Sequence, residues 1–139
     1  MTTERSQMNT FTINHLLTVE GVKPRIAKKE TFTSKVFSST QETKSTKFTL
    51  RLHFGRAKEN FLSVFLVPLA KEVFVKECTF TALDVNSNEL ESLTFKDILV
   101  KKFGGRGYDE FFNLSNFSLP DDTICIRCGI LFASESQGE

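Results

Sequence analysis

Apolar and polar residues alternate with a period of two along much of this chain. The pattern is strictest in segments 47–54 and 123–132. In the second segment the apolar row consists of Ile124, Ile126, Cys128, Ile130 and Phe132. Such alternation is typical of a strand with one buried face and one solvent-facing face. Both segments are therefore predicted to be strands whose apolar faces lie in the core.

Shorter stretches of the same pattern predict further strands, at 8–16, 31–38, 61–69, 72–83 and 108–114. Gly21 and Pro24 indicate a loop after the first strand. Segment 93–102 is ambiguous, because Phe95 and Ile98 have helical spacing in a stretch short enough to be a strand or a helical turn. No helical pattern exceeds about two turns. The expected fold class is all-β, an antiparallel β-sandwich of seven to eight strands.

The segment 61–69 is apolar on both faces. Phe61, Phe65 and Val67 share the face opposite its leucines and Val64. A strand of this kind is either covered on both sides or presents an apolar surface to solvent, and an exposed apolar surface marks a binding site. We therefore regard the face that carries Phe65 as a candidate binding surface.

Three glycines stand within four positions, at Gly104, Gly105 and Gly107. Glycine adopts positive φ without strain, so a tight reversal of the chain is expected here. The aromatic residues that follow predict a strand, and the Leu-Pro-Asp-Asp sequence at 119–122 predicts the turn into the last strand. A glycine loop beside aromatic residues at a sheet edge is typical of a peptide-binding surface.

The chain has 139 residues and a net charge of +1. This length fits one domain, and the balanced charge argues against nonspecific binding of nucleic acid. We find neither an apolar leader nor an apolar run of about 20 residues, so we expect a cytoplasmic or nuclear protein with no membrane partner. The expected organisation is a flexible N-terminus at 1–7, one domain at 8–133 and a flexible tail at 134–139.

No residue cluster predicts catalysis. Cys125 and Cys128 have C-x-x-C spacing, but residues three apart on a strand point to opposite faces, so a metal or redox site is not expected. His15 and His53 are the only histidines, and no nucleophile motif accompanies them. Asp121, Asp122 and Glu110 lack the regular spacing of oxygen ligands, so a solvated turn is predicted rather than a cation site. We expect no enzyme activity, no cofactor and no metal.

Five motifs occur in the same order as in MATH (meprin and TRAF homology, TRAF-C-like) domains. They are Phe11-Thr12-Ile13-Asn14, Phe61-Leu62-Ser63-Val64-Phe65-Leu66, Phe80-Thr81-Ala82-Leu83-Asp84, Gly105-Arg106-Gly107-Tyr108-Asp109-Glu110-Phe111 and Leu119-Pro120-Asp121-Asp122. The chain resembles this family over about residues 8–133, and most of all its speckle-type POZ protein subgroup of substrate adaptors. The resemblance implies an eight-stranded sandwich that binds short extended peptides in a shallow groove.

The resemblance also carries over a set of groove positions, namely Phe65, Cys78, Ile98, Gly104, Gly105, Arg106, Tyr108 and Asp109. Several depart from the subgroup: Cys78 replaces phenylalanine, Arg106 replaces tryptophan and Asp109 replaces lysine. A glycine pair also replaces Lys-Asp, and the match at Ile98 is loose. We expect Phe65 and Tyr108 to line one groove, with a ligand preference that differs from the subgroup.

Partners implied by the resemblance are short linear peptide motifs of other proteins, as in a ubiquitin-ligase substrate adaptor or a signalling scaffold. Oligomerisation is expected only through a module absent from this chain. Two alternatives stay open: a structural MATH-like scaffold with a degenerated groove, and a carbohydrate-binding β-sandwich. The second is weakened by the absence of tryptophan and the single tyrosine.

Overall fold

A computed structural model describes residues 8–39, 46–116 and 118–135. Within these ranges the chain forms nine strands, one short α-helix and two 3-10 helices. The α-helix is α1 (Val22–Ala27), and the 3-10 helices are Leu114–Asn116 and Pro120–Asp122, the second of which lies in the predicted turn at 119–122. The strands are β1 (Met8–Glu20), β2 (Thr31–Thr33), β3 (Phe37–Ser38), β4 (Lys47–Phe54), β5 (Phe61–Pro68), β6 (Val73–Leu83), β7 (Glu89–Val100), β8 (Arg106–Asn113) and β9 (Thr123–Glu135). No helix in these ranges is long and apolar enough to cross a membrane.

The strands form two antiparallel sheets. Sheet A has the order β1-β9-β6-β7, and sheet B has the order β2-β4-β5-β8, with the short β3 also paired to β4. Aromatic rings from the two sheets meet between them: Phe48 of β4 lies 5.4 Å from Phe132 of β9, and Phe80 of β6 lies 6.2 Å from Phe111 of β8, between ring centroids. The core therefore lies between the sheets in a sandwich-like arrangement, and the all-β, antiparallel expectation is confirmed.

The two segments of strictest alternation form β4 and β9. The inward row of β9 is at most 2% exposed throughout, and the apolar residues of β4 are fully buried. Because burying a large apolar side chain contributes about 1.5–3 kcal/mol, these two rows supply much of the driving force for folding. Within β9, Cys128 faces the core and Cys125 is half-buried on the other face, as the spacing predicted.

The ambiguous segment 93–102 belongs to β7, so it is a strand and not a helical turn. Asp97 has a φ of 53°, which interrupts the alternation of faces. As a result Phe95 and Ile98 both face the core although they are three residues apart. In the neighbouring β6, the register with β9 shifts by one between Val75 and Glu77. The helical spacing in the sequence reflects this irregularity in the strand.

The loop expected at Gly21 and Pro24 contains α1 instead. Gly21 precedes the helix in the left-handed region, with a φ of 68°. The carboxylate of Asp122 accepts the backbone N–H of Lys23 at 3.0 and 3.1 Å, which satisfies a donor of the first helical turn. Because the acceptor lies 99 residues away in sequence, no local pattern predicts this helix.

Several predicted boundaries also change, and the first strand, expected at 8–16, extends to Glu20. The single strand expected at 31–38 is split into β2 and β3, which raises the number of described strands to nine. Strand β9 continues to Glu135, two residues past the expected end of the domain, and Ser134 is buried opposite Asn9 of β1. The expectations for residues 1–7 and 136–139 lie outside the described residues.

Candidate functional site

Phe65 lies on the outer face of sheet B, the face turned away from the core. It sits in β5 between Arg51 of β4 and Gly107 of the edge strand β8. Its ring is half-buried and meets the ring of His53 edge-on, with 5.7 Å between centroids. An aromatic ring is thus accessible one strand away from a sheet edge.

The glycine loop packs against the same face. Gly105 has a φ of 74°, as a tight reversal requires. A Cβ atom placed on Gly105 would lie 3.7 Å from Cβ of Phe65 and 3.9 Å from Nη1 of Arg51. The neighbouring Gly104 is exposed and donates its N–H to the Lys101 carbonyl at 2.9 Å. The predicted positions Phe65, Gly104 and Gly105 therefore lie at one end of the outer face.

Gly107 occupies a position that no other residue fits. A Cβ atom there would lie 1.9 Å from the carbonyl oxygen of Val64, well inside van der Waals contact. The edge strand consequently approaches β5 closely and has no side chain beside Phe65. A ligand at this edge would meet backbone at Gly107 and an aromatic ring immediately behind it.

Tyr108 projects to the opposite side of sheet B. It pairs with Val64, whose side chain is fully buried, and directly paired residues of adjacent strands point to the same face. Its ring meets the buried Phe80 of sheet A at 90°, with 6.2 Å between centroids. The expectation that Phe65 and Tyr108 line one groove is therefore wrong, since their side chains lie on opposite faces of sheet B.

Tyr108 borders the gap between the edge strands β7 and β8. Burial raises the pKa of its phenol and the nearby Cys78 thiol adds to this, whereas Arg106 opposes it. Ile98 of β7 is half-buried and packs against the core from the other sheet. Tyr108 and Ile98 are thus both half-buried against the core at this edge, while Arg106 is exposed at the start of β8.

Cys78 does not reach the surface. Its side chain is fully buried, and its sulfur lies 3.9 Å from that of Cys128. The hydrogen-bonded Cys128 thiol and burial both raise the pKa of Cys78. The expectation that Cys78 contacts a ligand is wrong, because the thiol forms part of the packed core. The proximity of these two cysteines depends on β6 pairing with β9, and the sequence did not indicate it.

Asp109 begins an irregular part of the edge strand. Between the pairs Leu62–Phe112 and Val64–Tyr108, Ser63 of β5 faces three residues of β8. The Ser63 hydroxyl donates to the Asp109 carbonyl at 2.6 Å and holds this bulge in place. The Asp109 side chain is exposed. Regular pairing of β8 is therefore confined to its first residues and its last ones.

Electrostatics around Phe65 are set by basic residues. Burial lowers the pKa of His53, the charges of Arg56 and Arg51 lower it further, and Asp109 opposes them. The imidazole is accordingly neutral near pH 7, and its Nδ1 lies 2.9 Å from the Thr31 hydroxyl. The sequence indicates neither His53 nor Arg51 as a site residue, although both lie on the solvent-facing side of the predicted strand 47–54.

Phe103 is a third residue that the sequence prediction missed. It is 60% exposed, has a φ of 60°, and donates its N–H to the Pro68 carbonyl at 2.8 Å. The Lys102 ammonium lies 4.9 Å from the centre of its ring. A large apolar side chain exposed in a strained backbone conformation is unusual, and its place beside three glycines was the available signal.

The acidic residues considered for a cation are not brought together. Asp122 accepts the N–H of Lys23, and Glu110 forms an ion pair with Lys58 at 3.0 Å. Across the described ranges, no three His, Cys, Asp or Glu side chains are grouped so as to hold a metal ion.

Neither protein-family models nor curated proteins give a match to this chain.

Proposed function

We propose that this chain is a MATH-like peptide-recognition module without enzymatic activity, and that it binds an extended segment along the edge strand β8. The observation that carries the proposal is the half-buried Phe65 ring beside Gly107, where the edge strand has no side chain. A peptide that adds to a sheet edge gains affinity from backbone hydrogen bonds and specificity from its alternate side chains.

The first part of β8 suits such pairing. Arg106, Gly107 and Tyr108 pair with β5 in a regular register on one side, and the described part of the chain has no strand on the other. The bulge that begins at Asp109 limits the pairing to a short stretch. The ligand is therefore a short motif, and not a long added strand.

The two faces of β8 offer different contacts to alternate residues of the peptide. One residue reaches over Gly107 to the Phe65 ring, with Arg51 on its far side. The next residue turns toward Tyr108 in the gap between the sheets. Arg106 and Asp109 are exposed at the ends of this stretch and suit a ligand that carries both signs of charge.

A shallow site of this size supports only modest affinity. Ordering an extended peptide costs free energy, so we expect a dissociation constant in the micromolar range. This corresponds to a binding free energy of about −8 kcal/mol. Use as a ubiquitin-ligase substrate adaptor or as a signalling scaffold in the cytoplasm or nucleus would then require several copies acting together. The rival proposals are a scaffold with a degenerated groove and a carbohydrate-binding sandwich.

A peptide-display screen against the folded chain tests the proposal, with Phe65→Ala as the loss-of-site variant. Phe61→Ala is the matched control, because Phe61 is also half-buried on the outer face of β5, under Lys58 and opposite Asn113. We expect enriched peptides that bind the parent and Phe61→Ala alike, and that bind Phe65→Ala at least about tenfold more weakly.

Three outcomes would count against peptide binding at β8. Peptides that bind Phe65→Ala as tightly as the parent would place the site elsewhere. A folded chain that enriches no peptide would favour the degenerated scaffold. Signal on a glycan array without peptide enrichment would favour the carbohydrate-binding alternative.

A further inference from the structure

The two sheets have four edges, and at three of them irregular, charged or very short strands oppose long, continuous pairing with another chain. Strand β7 has a positive φ at Asp97 and several exposed charges. Strand β8 contains the bulge that begins at Asp109. On the fourth side of the sandwich, β2 and β3 are only three and two residues long. Natural sheets use irregular, charged or very short edges in this way to prevent association.

Strand β1 has none of these features. It runs for 13 residues in one unbroken register with β9, from Met8 opposite Glu135 to Glu20 opposite Thr123. It contains no proline, no lysine or arginine and no positive φ, and Glu20 at its end is its one acidic residue. No described strand lies on its free side. A long, regular and uncharged edge is a template for pairing with another strand.

We infer that β1 pairs with β1 of a second copy of this chain, antiparallel and about a two-fold axis that passes through Asn14. For the two copies of sheet A to become one continuous sheet, paired residues must face the same side. Full overlap of the 13 residues then places Asn14 opposite Asn14 of the second copy.

The side chains of β1 are complementary to themselves in this register. On the inner face, Phe11 lies opposite Leu17 of the second copy, and both residues are half-buried at the margin of the core in the single chain. On the outer face, Thr12 lies opposite Leu16, which is 59% exposed in the single chain. Each contact occurs twice because of the two-fold axis. No like charges are brought together, so charge repulsion does not oppose self-association.

The interface closes on itself. Sheet A would extend from β7 of one copy to β7 of the other, and the irregular, charged β7 edges would end it. The result is a dimer and not a fibre. The sequence analysis expected oligomerisation only through an absent module, whereas β1 provides a route within the chain. This inference does not depend on peptide binding, because β8 lies in the other sheet at the opposite side.

Charge substitution at the axis gives a specific test by sedimentation velocity over a concentration series that brackets the micromolar range. The parent is expected to show a reversible monomer–dimer equilibrium. Asn14→Lys places two lysines opposite each other, and the dimer dissociation constant should rise by at least about tenfold. Thr94→Lys is the matched control, since Thr94 is exposed in the same cross-strand row at the β7 edge, and it should change the constant by less than about twofold.

A charge-swap experiment tests the register. The Asn14→Asp variant alone should also be mostly monomeric. A mixture of the Asn14→Asp and Asn14→Lys variants should form a heterodimer, which native mass spectrometry detects. Circular dichroism verifies folding, and Thr12→Lys replaces Asn14→Lys in the sedimentation test should the latter not fold. The inference is overturned by a parent that stays monomeric throughout, by a dimer that survives the lysine substitution in β1, by a dimer that Thr94→Lys abolishes, or by a mixture that forms no heterodimer.

Discussion

Phe65 and Tyr108 lie within one residue of each other across β5 and β8, yet their side chains project to opposite sides of the sheet. Gly107 pairs with Phe65 on the outer face, and Tyr108 pairs with the buried Val64. A segment docked along β8 would therefore contact Phe65 and Tyr108 through successive residues and not through one side chain. This geometry assigns the two aromatic residues different roles in stability.

Tyr108→Ala should destabilise the fold more than Phe65→Ala. Tyr108 packs edge-on against the buried Phe80, so its removal should cost about 2 kcal/mol, whereas loss of the half-buried outer-face ring of Phe65 should cost about 1 kcal/mol. Tyr108→Phe keeps the ring and should stay within about 0.5 kcal/mol of the parent. Urea unfolding measures all three, and a Phe65 cost larger than that of Tyr108 would contradict the assignment of faces.

Gly107→Ala should be among the most damaging single methyl additions in the chain. The new Cβ would lie 1.9 Å from the Val64 carbonyl oxygen, so β8 would have to move away from β5, at a cost above about 2 kcal/mol. Gly129→Ala is the control. Its Cβ would meet only the Asn14 Oδ1 at 3.3 Å, a flexible side-chain atom, and its effect should stay within about 1 kcal/mol. Equal midpoints of thermal unfolding for the two variants would show that β8 does not approach β5 as closely as described at Gly107.

The strands were predictable from the sequence because apolar and polar residues alternate as the buried and exposed faces of a strand do. The rows of β4 and β9 are buried as the pattern indicated. The pattern failed where the backbone departs from regular pleating, as at Asp97, whose positive φ gives a strand the spacing of a helix. It also missed α1, since the Asp122 carboxylate that accepts a backbone N–H of its first turn comes from the other end of the chain.

The candidate site was predictable only in part. Strand 61–69 carries apolar residues on both faces, and this indicated the outer-face position of Phe65. The sequence could not indicate that Cys78 is sealed in the core, because that depends on the irregular register of β6 with β9. Nor could it place Tyr108 on the inner side, since the three-residue bulge in β8 sets which residues pair with β5.

Lowering the pH from about 7.5 to about 5.5 should reduce the free energy of unfolding. Burial lowers the pKa of His15 and of His53 below the ordinary histidine value, so the unfolded chain binds protons that the folded chain does not. The contribution of the neutral histidines to stability is fully present above the pKa that histidine has in the unfolded chain. It is lost as the pH falls through that value toward the lower pKa of the folded state.

His15→Phe tests this pH dependence. The His15 ring stacks on Phe37 with 4.1 Å between centroids, so phenylalanine preserves the contact and removes the proton-binding site. Denaturant unfolding at the two pH values should show a smaller pH dependence in the variant than in the parent. An unchanged pH dependence in the variant would mean that His15 does not contribute to the pH dependence of the free energy of unfolding.

Native alkylation should distinguish the three cysteines. Cys78 and Cys128 are fully buried against each other, and the pKa of Cys78 is raised, so neither offers an accessible thiolate. Cys125 is half-buried on the outer face of sheet A beside the Thr18 hydroxyl. Iodoacetamide followed by peptide mass spectrometry should therefore label Cys125 alone in the folded chain and all three cysteines in denaturant. Cys125→Ser should abolish native labelling, and modification of Cys78 or Cys128 at the rate of Cys125 would show that the core between β6 and β9 opens readily.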